Sequence, residues 1–97
     1  NAEKFYRESV ASAGHVSWNS RVHHMHGTVN DLLDLYGENS KGIVWAHNTH
    51  IGDAEYTSMR NTGEVNIGQL SRDGVGNNNV FLVGFTSYEG NVMAGSN

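Results

Sequence analysis

Two short apolar runs, separated by about thirty residues, constrain the fold of this 97-residue chain more than any other feature. "KGIVWA" covers residues 41–46 and "NVFLVGF" covers residues 79–85, and clusters of Gly and Asn bound both runs. Short runs that are apolar at consecutive positions are typical of strands covered on both faces. A helical stretch from roughly Glu64 to Asp73 supplies a crossover between them, so the pattern predicts a β-α-β unit with parallel strands.

Two amphipathic helices are predicted before this unit. Apolar residues recur at spacings of three and four over residues 2–13, which is the pattern of one helical face. A second helix is predicted to begin with Asn19 or Ser20 as its N-cap and to end at Tyr36. Gly37 then lies where a left-handed residue commonly ends a helix.

The predicted fold class is therefore α/β. We expect a fragment of a larger α/β domain, made of two amphipathic helices, the β-α-β unit with parallel strands, and a terminal turn at Glu89-Gly90 followed by a short extended segment. A chain of 97 residues can form at most one hydrophobic core.

Composition excludes several classes of partner. The net charge is −4 and the six Lys and Arg residues are scattered, so no basic surface for a nucleic acid is predicted. Because there is no cysteine, neither a disulfide framework nor a thiolate metal site is expected, and a reducing compartment, the cytoplasm, is predicted. The longest apolar run, Val80–Val83, is far too short to span a membrane, so no membrane partner is predicted.

The chemistry-bearing motif is "WAHNTHIGD", residues 45–53, at the end of the first predicted strand. Ligands of open α/β sheets bind beyond the carboxyl ends of the strands, and His47 lies at that edge. Tyr88 follows the second predicted strand and is expected nearby. A tight turn after His47 would allow the imidazoles of His47 and His50 to converge.

Three interpretations of this motif stay open. In the first, one imidazole donates a hydrogen bond to a developing oxyanion or passes a proton, Asp53 fixes its tautomer, and Asn48 adds an amide donor. In the second, the histidines are structural residues satisfied by backbone groups. In the third, His47, His50 and Asp53 bind a metal such as zinc.

A second histidine cluster lies in "RVHHMHG", residues 21–27. His23 and His26 are three residues apart on one helical face, which is predicted to be solvated, whereas His24 falls on a different face. Three ligands therefore cannot converge from this helix alone. Arg21, near the positive end of the predicted helix, indicates a carboxylate partner or substrate.

Several motifs together resemble the C-terminal part of the erythromycin esterase family, whose members are also described as succinoglycan biosynthesis proteins. The resemblance covers nearly all of the chain and rests on "SWN", "R-x-x-H-M", "L-L-D", "IVWAHNTHIGDA", "GEVNIGQL" and "VFLVGFTSYEGNV", in this order. "WAHNTHIGDA" is the most specific of them. An acid usually follows the arginine of the family's motif, and here that position is Val22.

The resemblance implies hydrolysis of a macrolide lactone or similar ester by water that a histidine base activates, without a covalent intermediate. It places that base in an N-terminal half that is outside this chain, so residues 1–97 are expected to be the C-terminal portion of one catalytic domain and to be inactive alone. No cofactor or metal is expected; the expected partners are a small ester or lactone and the missing half. A metal-binding or sugar-binding accessory role in polysaccharide biosynthesis is the alternative.

The resemblance and the residue chemistry together give one set of candidates. His47 and His50 are the predicted catalytic residues. The predicted substrate-binding or supporting residues are Asn48, Asp53, Arg21, His24 and Tyr88.

Overall fold

The computed structural model describes residues 2–11, 14–91 and 93, and throughout these ranges the regular structure is helical. The α-helices are α1 (Ala2–Ala11), α2 (His15–Tyr36), α3 (Asn48–Ile51) and α4 (Ile67–Val75). Short 3-10 helices cover Ala54–Tyr56, Ser58–Thr62 and Asn77–Asn79. The prediction of helices at the start of the chain and between the two apolar runs is confirmed.

The predicted β-α-β unit with parallel strands, and with it the α/β class, is wrong. Residues 41–46 and 79–85 form no strand in the part of the chain that the structure describes. Instead, the side-chain amide of Asn48 binds the backbone of Phe85 in both directions. Its Nδ2 donates to the Phe85 carbonyl at 2.6 Å, and its Oδ1 accepts from the Phe85 N–H at 3.2 Å. These are the backbone groups that a neighbouring strand would bind.

The apolar pattern of residues 41–46 and 79–85 led to the wrong prediction of strands. The pattern shows that these residues are hydrophobic, but it does not show that other strands or helices pack against them. A strand that is apolar on both faces needs a covering layer on each side. Ile43 is 92% exposed and Phe81 is 91% exposed, so no layer covers these two side chains. The ends of the two runs do meet, since the rings of Trp45 and Phe85 are 5.7 Å apart.

Helix α2 begins at His15, earlier than predicted, so the "SWN" motif lies inside the helix and not before it. Asn19 was expected to cap the helix, but its side chain makes a tertiary contact. Its Oδ1 accepts from Val65 N–H at 2.9 Å, and its Nδ2 donates to the Gly63 carbonyl at 2.8 Å. The predicted helix end is confirmed: Gly37 has φ of +94° and its N–H binds the carbonyl of Leu33.

The small core lies where α2, the first 3-10 helix and α4 meet. Val22, Ala54 and Ile67 are buried there, one from each element. Asn66 is also buried and caps α4, since its Oδ1 accepts from the Gln69 N–H at 3.2 Å. The same oxygen accepts from the Ala54 N–H at 3.0 Å, so one side chain begins α4 and fixes the preceding loop against it.

At the C-terminal end, the chain bends at Tyr88 and Glu89, and Gly90 has φ of +152°, which agrees with a turn at Glu89-Gly90. The extended segment predicted after it falls mostly outside the described residues. Across the described ranges, no helix has both the length and the apolar character needed to cross a bilayer.

Candidate active site

A tight turn after His47 was the condition for the two imidazoles to converge, and the chain does turn there, as the short helix α3. His47 is its N-cap, with an extended backbone (φ −62°, ψ 148°), and its carbonyl accepts from the His50 N–H at 2.8 Å. The Nδ1 atom of the exposed His47 ring accepts from the Thr49 N–H at 3.3 Å and lies 3.0 Å from the Thr49 hydroxyl. One helical turn therefore brings His47 and His50 onto the same short element.

The ring of His50, which belongs to α3, packs against α2. It stacks on the indole of Trp18 with ring centroids 4.8 Å apart and an interplanar angle of 11°. Arg21 Nη2 lies 3.2 Å from His50 Nε2, and the guanidinium carbon of Arg21 is 5.4 Å from the centre of the Trp18 ring. The indole is anchored in turn, because Trp18 Nε1 donates to the Val65 carbonyl at 2.8 Å.

The contact with Arg21 fixes the tautomer of the neutral His50 ring. A guanidinium only donates hydrogen bonds, so Nε2 of His50 must accept and its proton must reside on Nδ1. Nδ1 is enclosed and has no hydrogen-bond partner among the described residues. Burial lowers the pKa of His50, and the guanidinium of Arg21 and, when it is protonated, the ring of His47 lower it further, so the folded chain favours the neutral form of His50.

This shift in pKa makes stability depend on pH. His50 binds protons less readily in the folded state than in the unfolded state, so its contribution is fully present above the ordinary histidine pKa and is lost as pH falls through the folded value. Burial, followed by the charge of His23, lowers the pKa of His26 in the same direction. The free energy of unfolding should therefore fall between about pH 7 and about pH 5, where histidine titrates.

Urea unfolding at several pH values measures this slope, and His50→Gln and His26→Gln should each reduce it. A slope that is the same in His50→Gln and the wild type would contradict the assignment.

Two of the predicted supporting residues have structural contacts. Asn48 binds the backbone of Phe85, as described above. Asp53 was expected to fix the tautomer of a histidine, but its Oδ2 lies 2.9 Å from Arg72 Nη1 and its Oδ1 accepts from the Glu55 N–H at 3.2 Å. The Asp53 carboxylate thus joins α4 to the first 3-10 helix, and it is Arg21 that contacts His50.

The remaining predicted residues lie on exposed surfaces. The side chain of His24 is exposed on α2, and its backbone carbonyl accepts from the Thr28 hydroxyl at 3.0 Å. Tyr88 is fully exposed in the loop after residue 85. Neither His24 nor Tyr88 is placed in contact with His47 or His50. The roles of His24 and Tyr88 in substrate binding stay predictions.

Metal binding by the histidine motif gains no support from the geometry. Among the residues that the structure describes, no three His, Asp or Glu side chains converge in a way that could hold an ion. Asp53, the third member of the predicted set, is already paired with Arg72. We therefore derive no chemistry from a metal.

A shallow cavity of about 180 Å³ lies beside α3, between its last turn and the second apolar run. Its walls are Asn48, Ile51, Gly52, Leu82, Val83 and Gly84. A second groove, of about 230 Å³, lies between the end of α2 and residues 40–44. The first cavity adjoins α3, but neither His47 nor His50 is among its walls.

Trp18 stacks on His50 in the candidate site, and sequence reasoning missed this residue. Its signal was present in the chain: Trp18 and Arg21 are three residues apart, and residues at this spacing share a helical face. The signal was lost because "SWN" was interpreted as a break between two helices. Because α2 begins at His15, the two side chains share one face of that helix, and both contact His50.

The family comparison agrees with the sequence motifs that this site contains. The family model described as Erythromycin esterase matches residues 1–97, the whole of the chain. The chain belongs to the erythromycin esterase family. This membership indicates an esterase-like hydrolase, and it places the His47 and His50 motif within a family domain named for ester hydrolysis. No solved structure matches the chain.

Proposed function

We propose that this chain forms part of an ester or lactone hydrolase of the erythromycin esterase family, with His47 and His50 at its active-site cleft. The observation that carries the proposal is the histidine pair on α3. The ring of His50 is fixed against Trp18 and Arg21, while the ring of His47 is exposed on the same turn.

This arrangement suits ester hydrolysis. When water attacks an ester carbonyl, negative charge develops on the carbonyl oxygen, and fixed hydrogen-bond donors beside that oxygen lower the barrier. The ring N–H of an exposed imidazole, such as that of His47, can supply such a donor. The positive charge of Arg21, whose Nη2 lies 3.2 Å from His50 Nε2, adds a favourable potential for an anion that develops near this turn.

The base that activates the attacking water belongs, in this proposal, to polypeptide outside residues 1–97. The substrate is a small carboxylic ester or a lactone, and a macrolide lactone is the substrate that the family name suggests. The proposal requires no metal and no other cofactor, since water, a base and fixed donors suffice for this chemistry.

Steady-state hydrolysis of a panel of simple esters and macrolide lactones by the hydrolase that contains this chain tests the proposal. His47→Ala should lower kcat/KM by about 10²-fold or more, which is the usual effect of removing one oxyanion donor. His23→Ala removes an exposed histidine of α2 and serves as the matched control, and the 97-residue chain alone should show no turnover. Wild-type turnover in His47→Ala would refute the role of this residue.

A further inference from the structure

We propose that His47 acts in this reaction as a hydrogen-bond donor through its Nε2–H, and that His50 is the residue that positions the turn carrying it. This inference rests on the proposed function and names the part that each imidazole has in it. It follows from the hydrogen bonds that already occupy one nitrogen of each ring.

The N-cap of α3 fixes the tautomer of His47. The Thr49 N–H can only donate, and it points at Nδ1 of His47 at 3.3 Å. Nδ1 therefore accepts and carries no proton, which leaves the proton of the neutral ring on Nε2. The Thr49 hydroxyl, 3.0 Å from the same nitrogen, can donate to it as well. Because the ring is exposed, Nε2–H is the polar group that it offers to a ligand.

His50 has the opposite tautomer and cannot replace His47 in this role. Its Nε2 faces Arg21 at 3.2 Å and must accept, and its Nδ1 is enclosed. The ring therefore presents no accessible nitrogen without a rearrangement of its surroundings. Instead, the stacking of His50 on Trp18 fixes the turn that carries His47.

Together, these contacts argue against a general base within the pair. A base needs an unprotonated nitrogen that can reach the attacking water. The unprotonated nitrogen of His47 caps α3, and that of His50 faces Arg21. The free polar group of the pair is thus a donor, which fits a carbonyl oxygen that gains negative charge.

The tautomers can be measured directly in the 97-residue chain. Long-range ¹H–¹⁵N correlation spectra at about pH 8, where histidine of ordinary pKa is neutral, distinguish protonated from bare ring nitrogens. We expect Nε2–H for His47 and Nδ1–H for His50, with each signal assigned by its loss in His47→Asn or His50→Gln. Protonation of Nδ1 in His47 would overturn the proposal whatever the activity.

Two substitutions separate a donor from a base in the hydrolase. His47→Asn keeps an acceptor near Nδ1 and so preserves a favourable N-cap, but it lacks a donor at the position of Nε2. His47→Gln places an amide N–H near Nε2 but contains no base. We expect kcat/KM to fall about 10²-fold in His47→Asn and to stay within about tenfold of the wild type in His47→Gln.

Equal losses in the two variants, with unfolding midpoints close to the wild type, would overturn the donor role. Failure of the inference is distinguishable from failure of the proposed function. If the wild type hydrolyses no ester or lactone, the proposed function is wrong. If the wild type is active, the values of kcat/KM in His47→Asn and His47→Gln test the inference. The spectra decide the tautomer of His47 in either case.

Discussion

Replacing Gly68 by Ala is expected to destabilise the fold by about 3 kcal/mol, the upper end of the usual cost of overpacking. Gly68 lies in the first turn of α4, where the helix crosses the end of α3. A Cβ at this position would overlap the carbonyl oxygens of Ile51 and Gly52. Both are backbone atoms, so no side-chain rotation can relieve the overlap, and α3 and α4 must move apart.

Gly74→Ala is the matched control, because Gly74 lies in the same helix with open space where its Cβ would be. An alanine there should be neutral or stabilise the helix by up to about 1 kcal/mol. Urea unfolding of the wild type and the two variants measures both effects. Equal stability of Gly68→Ala and Gly74→Ala would contradict the close approach of the two helices.

Replacing Trp18 by Ala is expected to cost about 3 kcal/mol and to release His50 from its fixed position. The substitution removes the stacked ring and the hydrogen bond from Nε1 to the Val65 carbonyl together. Because burial is the largest cause of the lowered pKa of His50, the pKa should rise toward the ordinary histidine value once the indole is gone.

Trp18→Phe separates the two contributions of the indole. The phenyl ring can still stack on His50, but the bond to Val65 is lost, which should cost about 1 kcal/mol. NMR titration of His50 together with urea unfolding measures both quantities in the two variants. If Trp18→Ala had the wild-type His50 pKa and stability, Trp18 would not position His50.

Local interactions explain which parts of the fold the sequence could predict. The α4 helix and its cap depend on Asn66 and the first turn that follows it, and the end of α2 depends on Gly37. Such features involve residues a few positions apart, so pattern and residue type suffice. The two apolar runs depend on distant neighbours instead, and their exposed side chains show why the prediction of paired strands was wrong.

The candidate site shows the same division. The turn after His47 is local, and the sequence indicated only that such a turn would allow the two imidazoles to converge. The partners of the site residues are not local: Asp53 binds Arg72, nineteen positions away, and His50 binds Arg21, twenty-nine positions away. Asp53 is close to both histidines in sequence and was therefore a reasonable candidate for their partner. In the folded chain its carboxylate pairs with Arg72 instead.

The most direct test of the proposed role of His47 is one distance. It is the separation of His47 Nε2 from the carbonyl oxygen of a bound, non-hydrolysable ester analogue, measured in a crystal structure of the hydrolase that contains this chain. We expect about 3 Å, the length of a hydrogen bond. A carbonyl oxygen bound by other groups, with His47 Nε2 facing bulk water, would contradict the central claim.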